Sequence, residues 1–234
     1  MSAPVPPVPP VRLAVLDMAG TTVRDDGLVT NAFTDALVAV GIAPDDPGNA
    51  ERLDYVMSTM GQSKIDVFTQ LLGDAGRARE ALSAFDASVA ARVDAGAVTA
   101  LPGAAEAIAE LRSMGVAVCL TTGFTADTQA RIIDQLGWHD AVDLALAPSD
   151  TVRGRPHPDL VLTAVLALGV DDVRHVAVVG DTTSDLWCGH HAGAGVVAGV
   201  LTGAHDADQL ATAPHTHLLA SVAELPAVLR LTTP

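Results

Sequence analysis

Carboxylates that follow short apolar runs are the residues with the clearest chemistry in this sequence. Asp17 ends one such run and is followed by small residues, 19–22. Asp181 comes after the apolar run 175–179, and Asp185 lies one helical turn further on. Open α/β sheets bind ligands at the carboxyl ends of their strands. These three acids therefore lie where catalytic or ligand-binding groups are expected. The alternative for each is an aspartate that only caps a helix or a turn.

Two other polar side chains also follow predicted strands. Thr122 comes after the apolar run 116–120, and Arg155 lies in the loop after the run 144–147. In a parallel sheet these strand ends converge on one edge. Carboxylates, a hydroxyl and a guanidinium placed together suit phosphoryl transfer. One carboxylate attacks phosphorus in line, a divalent cation bridges carboxylates and phosphoryl oxygens, and the other groups bind the remaining oxygens.

The elements that must position these groups alternate between strand and helix from residue 98 onwards. This alternation predicts an α/β fold with a doubly wound parallel sheet and helices on both faces. The predicted strands cover 13–16, 116–120, 144–147, 175–179, 196–200 and 217–219. Between the first two strands the chain has helical periodicity. This periodicity predicts a helix capped by Asn31 and ended by Gly41, followed by helices at 49–59, 63–72 and 77–94. A further helix is predicted to start at Pro102.

This pattern divides the chain into two units. Residues 11–25 and 98–234 form the α/β core, and residues 26–97 form an inserted helical cap. Residues 1–10 are rich in proline and lack a basic start and an apolar centre. They predict a disordered tail rather than a signal peptide.

The composition narrows the classes of partner. A net charge of −15 over 234 residues argues against binding to nucleic acid or to anionic membranes, but it suits a divalent cation. No apolar run approaches the roughly 20 residues that span a bilayer. The two cysteines, Cys119 and Cys188, lack metal-ligand spacing and predict reduced thiols in a cytoplasmic protein. The sequence does not give the oligomeric state, and a homodimer stays open.

Four motifs resemble the signatures of the haloacid dehalogenase superfamily. They are D-x-A-G-T-T at residue 17, T-T-G at 121, G-R-P-x-P at 154 and G-D-T-x-S-D at 180. The resemblance spans nearly the whole chain and implies a Rossmann-like core with a helical cap. It implies that Asp17 is the nucleophile, which forms an aspartyl phosphate, and that Mg²⁺ is the cofactor. The Asp17 and Asp181 carboxylates and the Ala19 carbonyl would bind Mg²⁺, with Asp185 holding metal waters or orienting Arg155.

The same resemblance implies the groups that bind substrate. Thr122 and the backbone amides of Gly20 and Thr21 would bind phosphoryl oxygens, and Arg155 would grip them in a bidentate manner. Ala19 would line the substrate site, as would Gly61 and Gly123.

Two features are similar to the phosphonatase branch, whose members hydrolyse phosphonoacetaldehyde. Ala19 stands where superfamily phosphatases usually carry a general acid, a group that is typically worth ~10²–10⁴-fold in rate. Lys64 lies in M-G-Q-S-K, which resembles the branch's M-G-x-x-K, whose lysine forms a Schiff base with the substrate aldehyde. Lys64, Phe68 and Leu71 share a helix face, which would desolvate the amine. The alternative is an ordinary surface lysine.

Two residues depart from the phosphonatase pattern. Val67 stands where the pattern has histidine, and Phe124 stands where tyrosine is common. The first hypothesis is hydrolysis of the C–P bond of a small phosphonate aldehyde such as phosphonoacetaldehyde. The second is a small-molecule phosphatase, for example for phosphoglycolate. The third is a non-catalytic module that binds phosphate or metal.

Overall fold

A six-stranded, all-parallel sheet forms the centre of the protein. The computed structural model describes residues 10–231, so most of the predicted N-terminal tail lies outside the described residues. The strand order is β3-β2-β1-β4-β5-β6. The strands are β1 Leu13–Asp17, β2 Ala117–Thr121, β3 Leu144–Leu146, β4 Val176–Gly180, β5 Val196–Val200 and β6 His217–Leu219. The predicted doubly wound α/β fold is confirmed.

The order of the strands makes β1 the point where the direction of winding reverses. From β1 the chain adds β2 and β3 on one side, and β4, β5 and β6 on the other. Asp17 pairs in register with Thr121 of β2, and Leu16 pairs with Val179 of β4. The carboxyl ends of the three central strands are therefore level, and a ligand crevice forms at this edge.

Helices cover both faces of this sheet. They are α5 Ala104–Ser113, α6 Ala126–Leu136, α7 Asp159–Ala167, α8 Thr183–Ala192, α9 Ala207–Leu210 and α10 Leu225–Leu231. All residues of β1, β4 and β5 are buried, as expected for strands sandwiched between helices. None of the helices in residues 10–231 is long and apolar enough to cross a membrane.

Four inserted helices lie between β1 and α5, the helix that leads into β2. They are α1 Leu28–Ala39, α2 Asn49–Ser58, α3 Lys64–Leu72 and α4 Ala75–Asp94. Their shared core contains Phe33, Phe68 and Phe85, whose ring centroids lie 4.7–6.0 Å apart. Phe85 also lies 6.0 Å from Phe124, which follows β2. This aromatic cluster therefore joins the inserted helices to the sheet edge that carries Asp17.

Some predicted boundaries are wrong for identifiable reasons. Asn31 lies inside α1 rather than at its cap, because the helix starts at Leu28 after Gly27, and Asp25 accepts the Val29 N–H at 2.9 Å. Pro102 does not start α5, since Gly103 adopts φ 80° and forms the N-cap. The second and fourth strands each begin and end one residue later than predicted.

The aromatic cluster predicts a large cost for truncating its central ring. Phe85 is fully buried, so Phe85→Ala should lower the free energy of unfolding by about 3–5 kcal/mol. Phe85→Leu keeps most of the apolar volume and should cost about 1.5 kcal/mol or less. Urea denaturation followed by circular dichroism measures both variants. Equal costs for the two would show that the cluster is not tightly packed.

Candidate active site

Asp17 ends β1 inside the protein, where it meets a single guanidinium. Arg155 donates from Nη1 to Asp17 Oδ1 at 2.5 Å and also to Asp185 Oδ1. All three side chains are buried. Burial raises the pKa of Asp17 to about 6, with Arg155 opposing the shift and the charge of Asp185 adding to it. The structure thus brings together three groups that the sequence placed in different loops.

Arg155 retains one unused donor. Its Nε is buried and has no hydrogen-bond partner among the described residues. A buried unpaired donor is costly, and an anion oxygen at this position would satisfy it. Burial disfavours the charged guanidinium, but Asp17 and Asp185 outweigh this effect and raise its pKa, so the side chain stays charged.

The oxygens of Asp185 are already engaged. Oδ1 accepts from Arg155, and Oδ2 accepts from the Thr182 N–H at 3.1 Å and the Thr182 hydroxyl at 2.5 Å. Thr182 and Asp185 form a capping box at the start of α8. Of the two roles predicted for Asp185, this geometry favours orienting Arg155.

Asp181 is held by the loops on either side of it. Its Oδ1 accepts from the Thr21 hydroxyl at 3.1 Å, and its Oδ2 accepts from the Ala204 N–H at 2.7 Å. Burial raises the pKa of Asp181, and the charges of Asp17 and Asp185 raise it further. Like charges this close repel each other unless a cation lies between them.

The donor set fits a hard divalent cation. One oxygen each from Asp17, Asp181 and Asp185 lie within 4.8 Å of one another, and all three residues are buried. Arg155 alone cannot neutralise three carboxylates. Oxygen ligands of this kind and a surplus of negative charge are what Mg²⁺ requires. Ala19 lines the same pocket.

Lys64 approaches this cluster from the inserted helices. It is the first residue of α3, is 5% exposed, and lines one pocket together with Asp17, Thr122 and Arg155. Its Nζ lies 5.9 Å from the Phe33 ring centroid and 5.8 Å from that of Phe124.

The surroundings of the amine favour its neutral form. Burial and the charge of Arg155 lower the pKa of Lys64, the carboxylates of Asp17, Asp25 and Asp181 oppose the shift, and the resulting pKa is about 8. The hydrogen bond from Nζ goes to the Gln62 carbonyl at 3.3 Å. Lys64 is therefore no ordinary surface lysine, and its neutral form is more accessible than that of a solvated lysine.

Glycines allow the loop before Lys64 to dock on the sheet edge. A Cβ on Gly61 would lie 2.5 Å from the Thr182 hydroxyl oxygen, and one on Gly123 would lie 2.3 Å from the Gln62 carbonyl oxygen. The Lys64 N–H donates to the Gly123 carbonyl at 3.2 Å. Gly61 and Gly123 also line the pocket, and their small size sets the distance between Lys64 and the sheet.

Two predicted donors are engaged within the backbone in this structure. The Gly20 amide donates to the Val23 carbonyl at 2.8 Å, and the Thr21 amide donates to the Met18 carbonyl at 3.1 Å. Both amides close the turn after β1, and their binding of phosphoryl oxygens stays a prediction. The hydroxyl of Thr122 lies in the pocket wall and accepts from the Phe124 N–H at 3.1 Å, which leaves its own proton free.

Sequence reasoning missed two contributors to the site. Asp25 acts electrostatically on Lys64, and the loop after β5 holds Asp181. The loop carries no acid and no motif before Asp206. A strand-end position after β5 was the one signal that could have indicated it.

Comparison with known proteins identifies the family. The sequence model described as haloacid dehalogenase-like hydrolase matches residues 11–193. The chain belongs to the haloacid dehalogenase-like hydrolase family. The matched range includes Asp17, Thr122, Arg155 and Asp181, the strand-end residues that meet in the pocket or beside it.

Individual relatives within this hydrolase family carry two kinds of name. A protein from Dickeya dadantii named "Probable phosphatase IndB" is 28% identical over 205 residues, covering 86% of each chain. A phosphonoacetaldehyde hydrolase from Bordetella pertussis is 29% identical over 262 residues, covering 94% of this chain and 92% of the relative. The structure of a phosphonoacetaldehyde hydrolase-like protein from Oleispira antarctica gives a TM-score of 0.80 at 23% identity, covering 99% and 96% of the two chains.

The buried carboxylates predict a stability gain when one of them is neutralised. In metal-free buffer at pH 7.5, Asp17→Asn should raise the free energy of unfolding by about 1–3 kcal/mol. The raised pKa means that the folded protein binds a proton at Asp17 more tightly than the unfolded chain does. The ionised Asp17 carboxylate therefore lowers the stability of the wild type, with its full effect above about pH 6. The stability advantage of Asp17→Asn should vanish as the pH falls towards 4.

Thermal denaturation of both proteins between pH 4 and 8 measures this difference. Saturating Mg²⁺ provides the control, since it should stabilise the wild type more than the variant. If the variant is less stable than the wild type at pH 7.5 without metal, the excess of negative charge in the site does not destabilise the folded protein.

Proposed function

We propose that this hydrolase cleaves the C–P bond of a small phosphonate aldehyde, with phosphonoacetaldehyde as the reference substrate. The observation that carries the proposal is the buried Lys64 amine in the same pocket as Asp17 and Arg155. An amine on one side and a carboxylate on the other suit a substrate with an aldehyde at one end and a phosphonate at the other. The phosphonoacetaldehyde hydrolases among the relatives support the assignment.

The proposed reaction begins at Lys64. Its neutral amine attacks the aldehyde carbon, and loss of water gives a protonated imine. The Asp17 carboxylate then attacks phosphorus, the C–P bond breaks, and its electron pair moves to carbon to give an enamine. Water hydrolyses the aspartyl phosphate to inorganic phosphate. Protonation of the enamine at carbon and hydrolysis of the imine release acetaldehyde and regenerate Lys64.

Each remaining polar group has a role in this scheme. Arg155 binds phosphonate oxygens through its unused Nε donor, and the Thr122 hydroxyl binds another oxygen. Asp185 keeps Arg155 in position. Asp17 and Asp181, with the Ala19 carbonyl, would hold Mg²⁺, which when bound neutralises charge on the phosphoryl oxygens. The inserted helices act as the cap that excludes water above Asp17.

A phosphate ester is the second candidate substrate. Val67 and Phe124 are both buried and apolar, so the polar partners that assist imine formation in the phosphonatase pattern are absent from those two positions. The relative named as a phosphatase supports this alternative. In that case the Lys64 ammonium would donate a proton to the leaving alkoxide, replacing the acid that Ala19 lacks. A non-catalytic binding module would not need the nucleophile Asp17.

Borohydride trapping tests the role of Lys64. Phosphonoacetaldehyde and Mg²⁺ are added, the imine is reduced, and the adduct is located by peptide mass mapping. Lys64 is the only lysine in the sequence, so the result is unambiguous. We expect an adduct at Lys64 together with phosphate release. The trapping rate should rise with pH through about 8, because the neutral amine is the reactive form.

Two variants complete this test. Lys64→Arg keeps the charge but cannot form an imine, and it should lose at least ~10³-fold in kcat with phosphonoacetaldehyde. Asp17→Asn should still form the adduct but release no phosphate. Phosphate release from the wild type without any adduct at Lys64 would rule out the imine mechanism.

A substitution at Ala19 separates the two candidates. Ala19→Asp supplies the missing general acid and should raise hydrolysis of p-nitrophenyl phosphate or phosphoglycolate by at least ~10-fold. Ala19→Asn is the matched control, because it has the same shape but no proton to donate. If wild-type activity on phosphoglycolate already exceeds that on phosphonoacetaldehyde, and Ala19→Asp does not increase it, the ester is the substrate and Lys64 is the acid.

A further inference from the structure

The loop that follows β5 encloses the backbone and side chain of Asp181. Thr202 donates from its hydroxyl to the Gly20 carbonyl at 2.7 Å, which ties the loop to the turn after β1. The Ala204 N–H donates to Asp181 Oδ2 at 2.7 Å. The loop therefore connects two segments that carry predicted metal ligands, although it contributes no carboxylate of its own.

His205 closes this loop at two points. Its backbone N–H donates to the Asp181 carbonyl at 3.3 Å, and its ring Nδ1 accepts the Thr183 N–H at 3.0 Å. The ring is 7% exposed. Thr183 is the first residue of α8, so its amide has no partner within the helix and needs an external acceptor. Because Nδ1 accepts, the neutral ring carries its proton on Nε2.

Close packing leaves the Asp181 carboxylate little freedom. A Cβ on Gly203 would lie 1.9 Å from Asp181 Oδ2, and a Cβ on Gly20 would lie 2.4 Å from the same oxygen. The carboxylate therefore lies between two glycines. The Ala204 amide donates to this same oxygen, so the position of the loop and that of the carboxylate are coupled.

We infer that His205 is a positioning residue that holds the loop 202–205 against Asp181 and so sets the affinity of the site for a divalent cation. The inference rests on the metal site of the proposed function. Losing the ring acceptor leaves the Thr183 amide unpaired and detaches one side of the loop. Groups that orient metal ligands in this way typically change metal affinity by about 10–100-fold when they are removed.

Substitutions of His205 separate positioning from simple support of the fold. Asparagine places its Oδ1 close to where Nδ1 lies and keeps the acceptor, whereas alanine removes it. Glutamine fills the site but places its acceptor further out, and it replaces alanine if that variant does not fold. His215→Ala is the matched control, since that histidine is exposed and its ring Nδ1 hydrogen-bonds to the carbonyl of Ala213, away from Asp181 in the sequence.

The experiment measures Mn²⁺ binding by electron paramagnetic resonance and Mg²⁺ binding by calorimetry, without substrate. We expect His205→Ala to raise the Kd by at least ~10-fold, with His205→Asn within about 3-fold of the wild type and His215→Ala unchanged. Gly203→Ala should weaken binding as well, because its methyl group displaces the carboxylate.

Two results would overturn the inference, and they have different meanings. An unchanged Kd in His205→Ala or His205→Gln, whatever the change in melting temperature, would limit the residue to supporting the fold and leave the proposed function intact. A wild-type protein that binds neither cation would remove the metal site itself, and the inference with it.

Discussion

The buried pairing of one guanidinium with several carboxylates is the constraint on which the site depends. Asp17, Asp181 and Asp185 place one oxygen each within 4.8 Å of one another, and Arg155 bonds to two of them. Buried charges are costly unless they are paired and hydrogen-bonded. The surrounding hydroxyls and amides reduce that cost, and a divalent cation would remove the remaining excess of negative charge. The same excess of negative charge favours the binding of a metal cation and lowers the stability of the folded protein without one.

The second constraint is that the sheet edge alone lacks a group to activate the leaving group. Ala19 carries no acid, so the proposed function gives this role to Lys64 of the inserted helices, which lies among Phe33, Phe124 and the Gln62 carbonyl. An apolar surrounding lowers the pKa of an amine and favours a nucleophile. Gly61 and Gly123 let the loop of Lys64 approach the sheet edge closely. The proposed catalysis thus depends on how the inserted helices pack against the sheet edge.

The sequence predicted the site correctly where polar residues directly follow apolar runs. Apolar runs that end in Asp17, Thr122 and Asp181 predicted both a parallel sheet and the edge where these side chains meet. Two roles were predicted for Asp185, holding metal waters or orienting Arg155, and the sequence position is the same for both. Only the hydrogen bonds of Asp185 in the structure distinguish between them. Residue type also misled: asparagine often caps helices, but Asn31 lies inside α1, which follows the N-cap Gly27, and Asp25 accepts the Val29 N–H.

Other features could not be read from the sequence because they depend on tertiary contacts. The amides of Gly20 and Thr21 are small-residue amides of the kind that bind anions, yet the tight turn after β1 uses them internally. The loop 202–205 carries no acidic motif, and its role follows from its position against Asp181. Gly203 is needed only because a carboxylate lies where its Cβ would be.

In the proposed mechanism, Asp17 attacks phosphorus and carries the phosphoryl group. Rapid-quench single-turnover analysis with phosphonoacetaldehyde and Mg²⁺, followed by mass mapping of the acid-quenched protein, detects such an intermediate. We expect a phosphorylated peptide containing Asp17 that forms before inorganic phosphate appears and decays as phosphate is released. Phosphate release in a single turnover with no phosphorylated peptide at any time would contradict it.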